Sequence, residues 1–180
     1  MKKTVVLTGV GRDRVGIVAE LTQALYDSGC NLLDSSMTLL RGEFALIVMA
    51  ELPASGSLEK LQTSMQALEK QLGMAVHVRL MNEDELEERP MENAFIVSVY
   101  GADKPGIVAK VTRALADARI NITDVQTKST GSSINKIFVM ILEVTAPSAV
   151  SVSSVEKSLH DIAQQLAVDV SVQSLDVVEL

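Results

Sequence analysis

The 180-residue sequence predicts an α+β protein made of two ferredoxin-like βαββαβ sandwiches. Three observations lead there. Residues 11–38, GRDRVGIVAELTQALYDSGCNLLDSSMT, realign without a gap on residues 101–128, GADKPGIVAKVTRALADARINITDVQTK, with twelve identities at a constant offset of 90. That period is too long for a stacked solenoid repeat, so each copy is expected to be a complete small domain. Each half also reads strand, helix, strand, strand, helix, strand. Finally, the third strand of each half (FALIVMA and IFVMIL) is continuously apolar, while the second alternates or carries polar residues. Continuous apolar strands belong inside a sheet, so strands one and three are central and two helices cover one face.

Taken in order, the first strand is expected at Thr4–Val10 and the first helix from Val15 to Ser28. The apolar stripe of that helix is Ile17, Val18, Leu21, Ala24 and Leu25, with Glu20, Gln23 and Asp27 opposite. Gly29 stops it. Strand two follows at Leu32–Leu40, the turn at Arg41-Gly42, and strand three at Glu43–Leu52. After the Pro53–Ser57 loop, Leu58, Leu61, Met65, Leu68 and Leu72 recur at alternating spacings of three and four residues, one face of a helix. Strand four is Ala75–Met81. The second half repeats this as strand Phe95–Tyr100, helix Pro105–Arg119, strands Ile122–Thr130 and Lys136–Val144, helix Val152–Leu166 and strand Asp169–Val178. Matching Glu51 to Glu143 raises the offset to 92, which implies a two-residue insertion at Gly131-Ser132-Ser133.

These assignments divide the chain into a first domain at 1–82, an acidic linker at 83–92 and a second domain at 93–180. The stretch NEDELEERPME carries six carboxylates and one Arg, which is −5 of the net charge of −7, as expected of a solvated linker. Halves of this size are near the lower limit for an independent core and gain from packing against a twin or another chain, so a homo-oligomer is expected. With aromatics at only 3 % the core must be aliphatic. An acidic chain without a basic stripe does not suit direct nucleic-acid binding, because neutralising phosphates needs clustered Lys and Arg. The N-terminal apolar strand is too short for a signal peptide, and no apolar run reaches 18 residues. With a single cysteine as well, the expectation is a cytoplasmic protein without a membrane span.

Catalysis finds no support. His77 alternates with Val76 and Val78 on its strand, and His160 lies off the apolar stripe of its helix, so both read as surface residues. Cys30 has neither a second Cys nor a nearby His and reads as a small buried hydrophobe. No metal-ligand cluster, cofactor motif, phosphate loop or nucleophile elbow occurs. What remains is the duplicated G-x-D-x-x-G-I-V loop, which joins strand one to a helix N-terminus, where free N–H groups favour an anion. Gly16 and Gly106 would let a ligand approach the backbone, and Pro105 suits a first helical turn. Asp13 and Asp103 have two readings, as caps of the helix N–H groups or as acceptors from a ligand ammonium. Asn31 and Asn121 either make the helix-to-strand turn or offer both donor and acceptor to a ligand. Backbone N–H groups for a carboxylate, with Asp and Asn oxygens for an ammonium, describe a site for a free amino acid.

At GRDRVGIV…SGCNLLDSSM and GADKPGIV…ARINITDVQT the chain resembles the ACT domain, a ferredoxin-like regulatory module that commonly binds amino acids. The first half, especially SGCNLLDSSMTLLRGEFALIVMAEL, is most similar to the glycine cleavage system transcriptional repressor family, small proteins of two ACT domains. The resemblance implies a non-catalytic repressor that senses a small amino acid, glycine or serine, and restrains a separate transcriptional regulator without touching DNA. It also implies that ligand lies at a domain–domain interface, held by Asp13, Gly16, Ile17 and Asn31 and by Asp103, Gly106, Ile107 and Asn121. Val15 stands where the second copy has Pro105, which implies a looser first loop. The rival expectation is a regulatory subunit of an amino-acid or one-carbon enzyme, because similar ACT pairs precede catalytic domains in phosphoserine phosphatases and formyltetrahydrofolate deformylases. With the last strand ending near Leu180, the catalytic part would then be another chain. A third is a purely structural dimerisation module without ligand.

Overall fold

Lys3–Arg12 form β1, whose inward residues Val5 and Leu7 are fully buried while its ends are exposed. The computed structural model describes residues 3–82, 93–132 and 136–175. From β1 the chain enters α1 (Ile17–Asp27), then β2 (Asn31–Leu40), β3 (Glu43–Leu52), α2 (Leu58–Leu72) and β4 (Met74–Leu80). The second unit runs β5 (Asn93–Ala102), α3 (Ile107–Asp117), β6 (Asn121–Gly131), β7 (Lys136–Ala146), α4 (Val152–Leu166) and β8 (Val168–Leu175). The chain divides into two compact units, Met1–Glu88 and Arg89–Leu180; the acidic stretch expected as a linker at 83–92 lies outside the described residues.

Each unit is one four-stranded antiparallel sheet, ordered β2-β3-β1-β4 and β6-β7-β5-β8, so the first and third strands are central as their apolar runs require. Both units are α+β sandwiches with the helices on one face. On β3 the inward side chains Phe44, Leu46, Val48, Ala50 and Leu52 alternate with outward ones, of which Ile47 stays 54 % exposed. These inward residues pack against Leu21 and Leu25 of α1 and Leu61 and Met65 of α2; Met140, Leu142, Val111 and Leu159 build the matching core of the second unit.

The strand register corrects the length of one hairpin. Leu7 pairs with Val48, and its counterpart Val97 pairs with Leu142, so the repeat offset past the hairpin is 94, not 92. Glu51 therefore corresponds to Thr145, and the second hairpin is four residues longer rather than two. Both offsets are even and keep the same side chains on the same face, so alternation alone could not separate them. In the first unit the turn is Arg41-Gly42, both at positive φ (51° and 87°), the geometry of a tight two-residue hairpin.

The helix ends are explicit. Ser57 and Ser151 cap α2 and α4, each Oγ accepting the N–H three residues on (from Lys60 and Ser154, both 3.3 Å). After α1, Gly29 at φ 73° donates to the Tyr26 carbonyl and Cys30 N–H to the Leu25 carbonyl, closing the helix as a Schellman turn. Arg119 at φ 58° and Ile120 make the same two bonds, to Ala116 and Leu115. Gly11 and Gly101 answer a packing demand, since a Cβ at Gly11 would overlap Met74 on β4 and one at Gly101 would lie 2.8 Å from Val168 Cγ1.

Candidate functional site

The duplicated loop spans residues 11–16 and 101–106 and leads from the end of β1 or β5 into α1 or α3. Two anchors hold it in both units. Asp13 N–H donates to the Gly42 carbonyl in the β2–β3 turn (2.8 Å), and Asp103 N–H to the Lys136 carbonyl (3.0 Å). The basic residue that follows reaches the C-terminal end of the second helix: Arg14 Nη2 donates to the Gln71 carbonyl (3.3 Å) and Lys104 Nζ to the Leu166 carbonyl (2.9 Å). A cation there complements the helix dipole and satisfies an orphan carbonyl. Sequence reasoning missed this anchor, although the pair Arg14/Lys104 repeats in charge, if not in identity, at the constant offset.

The loop ends on Gly16 (φ 98°, ψ −10°) and Gly106 (φ 91°, ψ −3°), each the residue immediately before its helix. A φ near 90° lies beyond the small left-handed region open to other residues, so glycine is required by the backbone. Its missing side chain also leaves room, because a Cβ at either position would meet nothing within 4 Å. Neither α1 nor α3 has a side-chain cap. Asp13 and Asp103 are therefore not helix caps, and of their two readings the capping one fails. The chain caps its second helices with serine and leaves its first helices bare, with free N–H groups next to an open glycine.

The other sequence-predicted residues divide sharply. Ile17 and Ile107 are each 2 % exposed, so their side chains belong to the core and only their N–H groups face the loop. Asn31 and Asn121 are exposed but start β2 and β6 opposite Glu51 and Thr145. Glu51 is nine residues along β3 from Gly42, which holds Asp13, so Asn31 sits roughly 30 Å away at the other end of the same sheet. Within one unit the structure gathers Asp13, Gly16 and Ile17 and leaves Asn31 apart, and likewise for Asp103, Gly106, Ile107 and Asn121.

The two loops differ in detail. Asp103 Oδ2 accepts a 2.7 Å hydrogen bond from Ser129 Oγ on β6, whereas the position equivalent to Ser129 is Leu39 on β2. Elsewhere the chemistry is sparse. His77 and His160 are exposed, as expected. Cys30 is buried at 8 % exposure, and that burial raises its thiol pKa and keeps the thiolate scarce. Among the described residues no group of His, Cys, Asp or Glu could hold a metal ion, and no helix is long and apolar enough to cross a membrane.

The chain is similar to several known proteins. A UPF0237 protein of Methanosarcina mazei is 39 % identical over 80 residues, which span 44 % of this chain and 85 % of that one. The glycine cleavage system transcriptional repressor of Escherichia coli is 26 % identical over 168 residues, 89 % of this chain and 84 % of the repressor. Among solved structures, a protein of unknown function from Galdieria sulphuraria superposes with a TM-score of 0.82 at 27 % identity, covering 98 % of this chain and all of that one. The family model of the ACT domain matches twice, at residues 3–79 and 93–173, each match containing one copy of the bare-helix loop. This chain belongs to the ACT domain family, as a tandem of two such domains.

Proposed function

We propose that this protein is a cytoplasmic, non-catalytic sensor of a small amino acid, glycine or serine, that regulates transcription through a separate protein partner. The observation that carries this reading is the pair of uncapped helix N-termini, each beside an exposed Asp and an open Gly, whereas α2 and α4 are capped by serine. The free N–H groups of α1 and α3 receive the ligand carboxylate, and Asp13 or Asp103 receives its ammonium. Asn31 and Asn121 join only if an edge strand of a neighbouring ACT domain brings them to the loop, which is why the site belongs to an interface. The similarity to the glycine cleavage system transcriptional repressor, over 89 % of this chain, supports a role in transcription, and the net charge of −7 favours a partner-borne over a DNA-borne action.

Ligand size bounds the affinity. Five heavy atoms at about 1.5 kcal/mol each give glycine at most roughly 7.5 kcal/mol, a dissociation constant of a few micromolar. Isothermal titration of the full chain against the twenty amino acids tests the reading. Micromolar to millimolar binding of glycine or serine is expected, and silence across the panel overturns the ligand claim. A pull-down that returns a transcription regulator supports the partner, whereas one that returns a metabolic enzyme points to the rival regulatory-subunit role.

A further inference from the structure

The two loops are held alike but walled differently. Asp13 and Asp103 each donate a backbone N–H into the hairpin of their own unit, so the surroundings of the loops correspond residue for residue. Ser129 Oγ donates to Asp103 Oδ2 at 2.7 Å, which puts this position of β6 directly against the loop carboxylate. Ser129 pairs with Phe138, and Phe138 with Gly101, the first residue of the loop. Leu39 holds the same place in the first unit, since it pairs with Phe44, which pairs with Gly11. Side chains two residues apart on a strand share a face, so the next members of the two walls are Thr127 and Met37. The wall of the second loop is therefore a pair of exposed hydroxyls. That of the first is a pair of apolar side chains, Met37 and Leu39, half-exposed at 52 % and 54 %. The helices add no such contrast, because α1 and α3 both begin Ile-Val-Ala.

Resting on the amino-acid reading above, we propose that the two loops take different amino acids. The second selects one with a side-chain hydroxyl, of the serine kind, and the first selects one without, glycine or alanine. A hydroxyl is one donor and two acceptor lone pairs. Ser129 gives its own proton to Asp103, so its oxygen can accept the proton of a ligand hydroxyl. Thr127 brings a second hydroxyl to the same face. At the first loop the same ligand oxygen meets Leu39 and Met37, where it loses water and gains no partner. A methyl group or a hydrogen loses nothing there. Both walls are open to solvent, so the discrimination is about 10-fold rather than the roughly 10,000-fold of a closed polar pocket. The looser first loop expected from Val15 shifts all affinities at that loop together and leaves their ratio unchanged.

Backbone amide NMR of the isotope-labelled full chain tests this, because Gly16 and Ile17 report on one loop and Gly106 and Ile107 on the other. Titration with L-serine, L-alanine and glycine gives a dissociation constant for each amino acid at each loop. Glycine has no side chain for either wall to read and serves as the reference. The serine-to-alanine affinity ratio is expected to be at least about 10-fold higher at the second loop. Ser129→Leu should bring that ratio down to the value at the first loop, and Leu39→Ser should raise the first-loop ratio by a few-fold. The amide spectrum itself shows whether each variant is folded, and if Ser129→Leu is not, Leu39→Ser decides. Equal ratios at the two wild-type loops, or a ratio that the substitution leaves unmoved in a folded variant, overturns the selectivity while the amino-acid reading stands. Silence of both loops toward all three amino acids overturns the amino-acid reading and the selectivity with it.

Discussion

In the first unit both helices end on glycine, Gly29 and Gly73, at φ 73° and 64°; in the second the same two left-handed positions hold Arg119 and Ala167, at 58° and 52°. At the other end of the first helix both units keep glycine, Gly16 and Gly106, at φ 98° and 91°. The difference separates two kinds of backbone demand. A φ between 50° and 60° lies inside the left-handed region that an ordinary residue can enter at a cost of about 1–2 kcal/mol. A φ above 90° does not. The copies have drifted where the fold tolerates a side chain and have stayed identical where it does not. The glycine of the loop is thus explained by conformation first, and its openness to a ligand comes as a by-product of the same geometry.

The sharpest way to break the equivalence of the two units is to load the same position in each. Gly11→Ala should destabilise its unit by about 3 kcal/mol, because the new methyl overlaps the Met74 Cβ and approaches its Cα to 3.0 Å. Gly101→Ala should cost about 2 kcal/mol, since its first conflict is the Val168 Cγ1 at 2.8 Å, a side-chain atom that rotates away more easily than backbone. Amide hydrogen exchange resolved by unit measures both in the intact chain. Equal losses would mean that β4 and β8 yield alike.

Binding offers the next contrast. Asp13→Ala should weaken amino-acid binding roughly 10-fold or more, the scale of a charge-assisted hydrogen bond, without changing stability, because Asp13 caps no helix. Asp103→Ala should weaken binding too, and also lower the stability of the second unit by about 1 kcal/mol through the lost Ser129 bond. Titration calorimetry and thermal unfolding read the two effects separately. A stability loss at Asp13 would restore the capping role that the structure removes.

These loops also show how far the sequence could be read. The elements were legible because their periods are strong: the Leu58–Leu72 stripe and the Glu43–Leu52 strand coincide with α2 and β3 residue for residue. The candidate residues were legible as a repeated set, since Asp, Gly and Asn at matching positions stand out from packing identities. Their spacing in the chain said nothing of distance in the sheet. Asn31 follows Asp13 by one helix and its two flanking turns, and that helix carries the chain away from the loop, so the two end up at opposite ends of the sheet. The Asp103–Ser129 bond was equally invisible, because its partners are 26 residues apart and meet only when β6 is laid beside the loop.

A smaller effect isolates the loop's side-chain tether. Ser129→Ala removes one hydrogen bond to Asp103 and should cost about 0.5–1 kcal/mol. The reciprocal change, Leu39→Ser, offers Asp13 the hydroxyl that its counterpart enjoys. If orientation of the carboxylate governs affinity, the first substitution lowers ligand affinity and the second raises it, each by a few-fold, in the same calorimetric assay. Unchanged affinity in both would make the bond a local structural detail.

The mildest substitutions return to the helix ends. Arg119→Gly and Ala167→Gly relieve left-handed strain at positions where the first unit already has glycine. Glycine also enlarges the conformational freedom of the unfolded chain, which offsets part of the gain, so each should stabilise the second unit by about 0.5–1 kcal/mol. Thermal unfolding of the full chain, with hydrogen exchange assigning the change to residues 93–175, checks it. The reverse substitutions, Gly29→Arg and Gly73→Ala, should destabilise the first unit by a similar amount. The four changes together ask whether the two copies differ in stability because of their caps. If all four leave stability untouched, the strain at φ near 55° is absorbed elsewhere, and the drift from glycine in the second unit carried no cost.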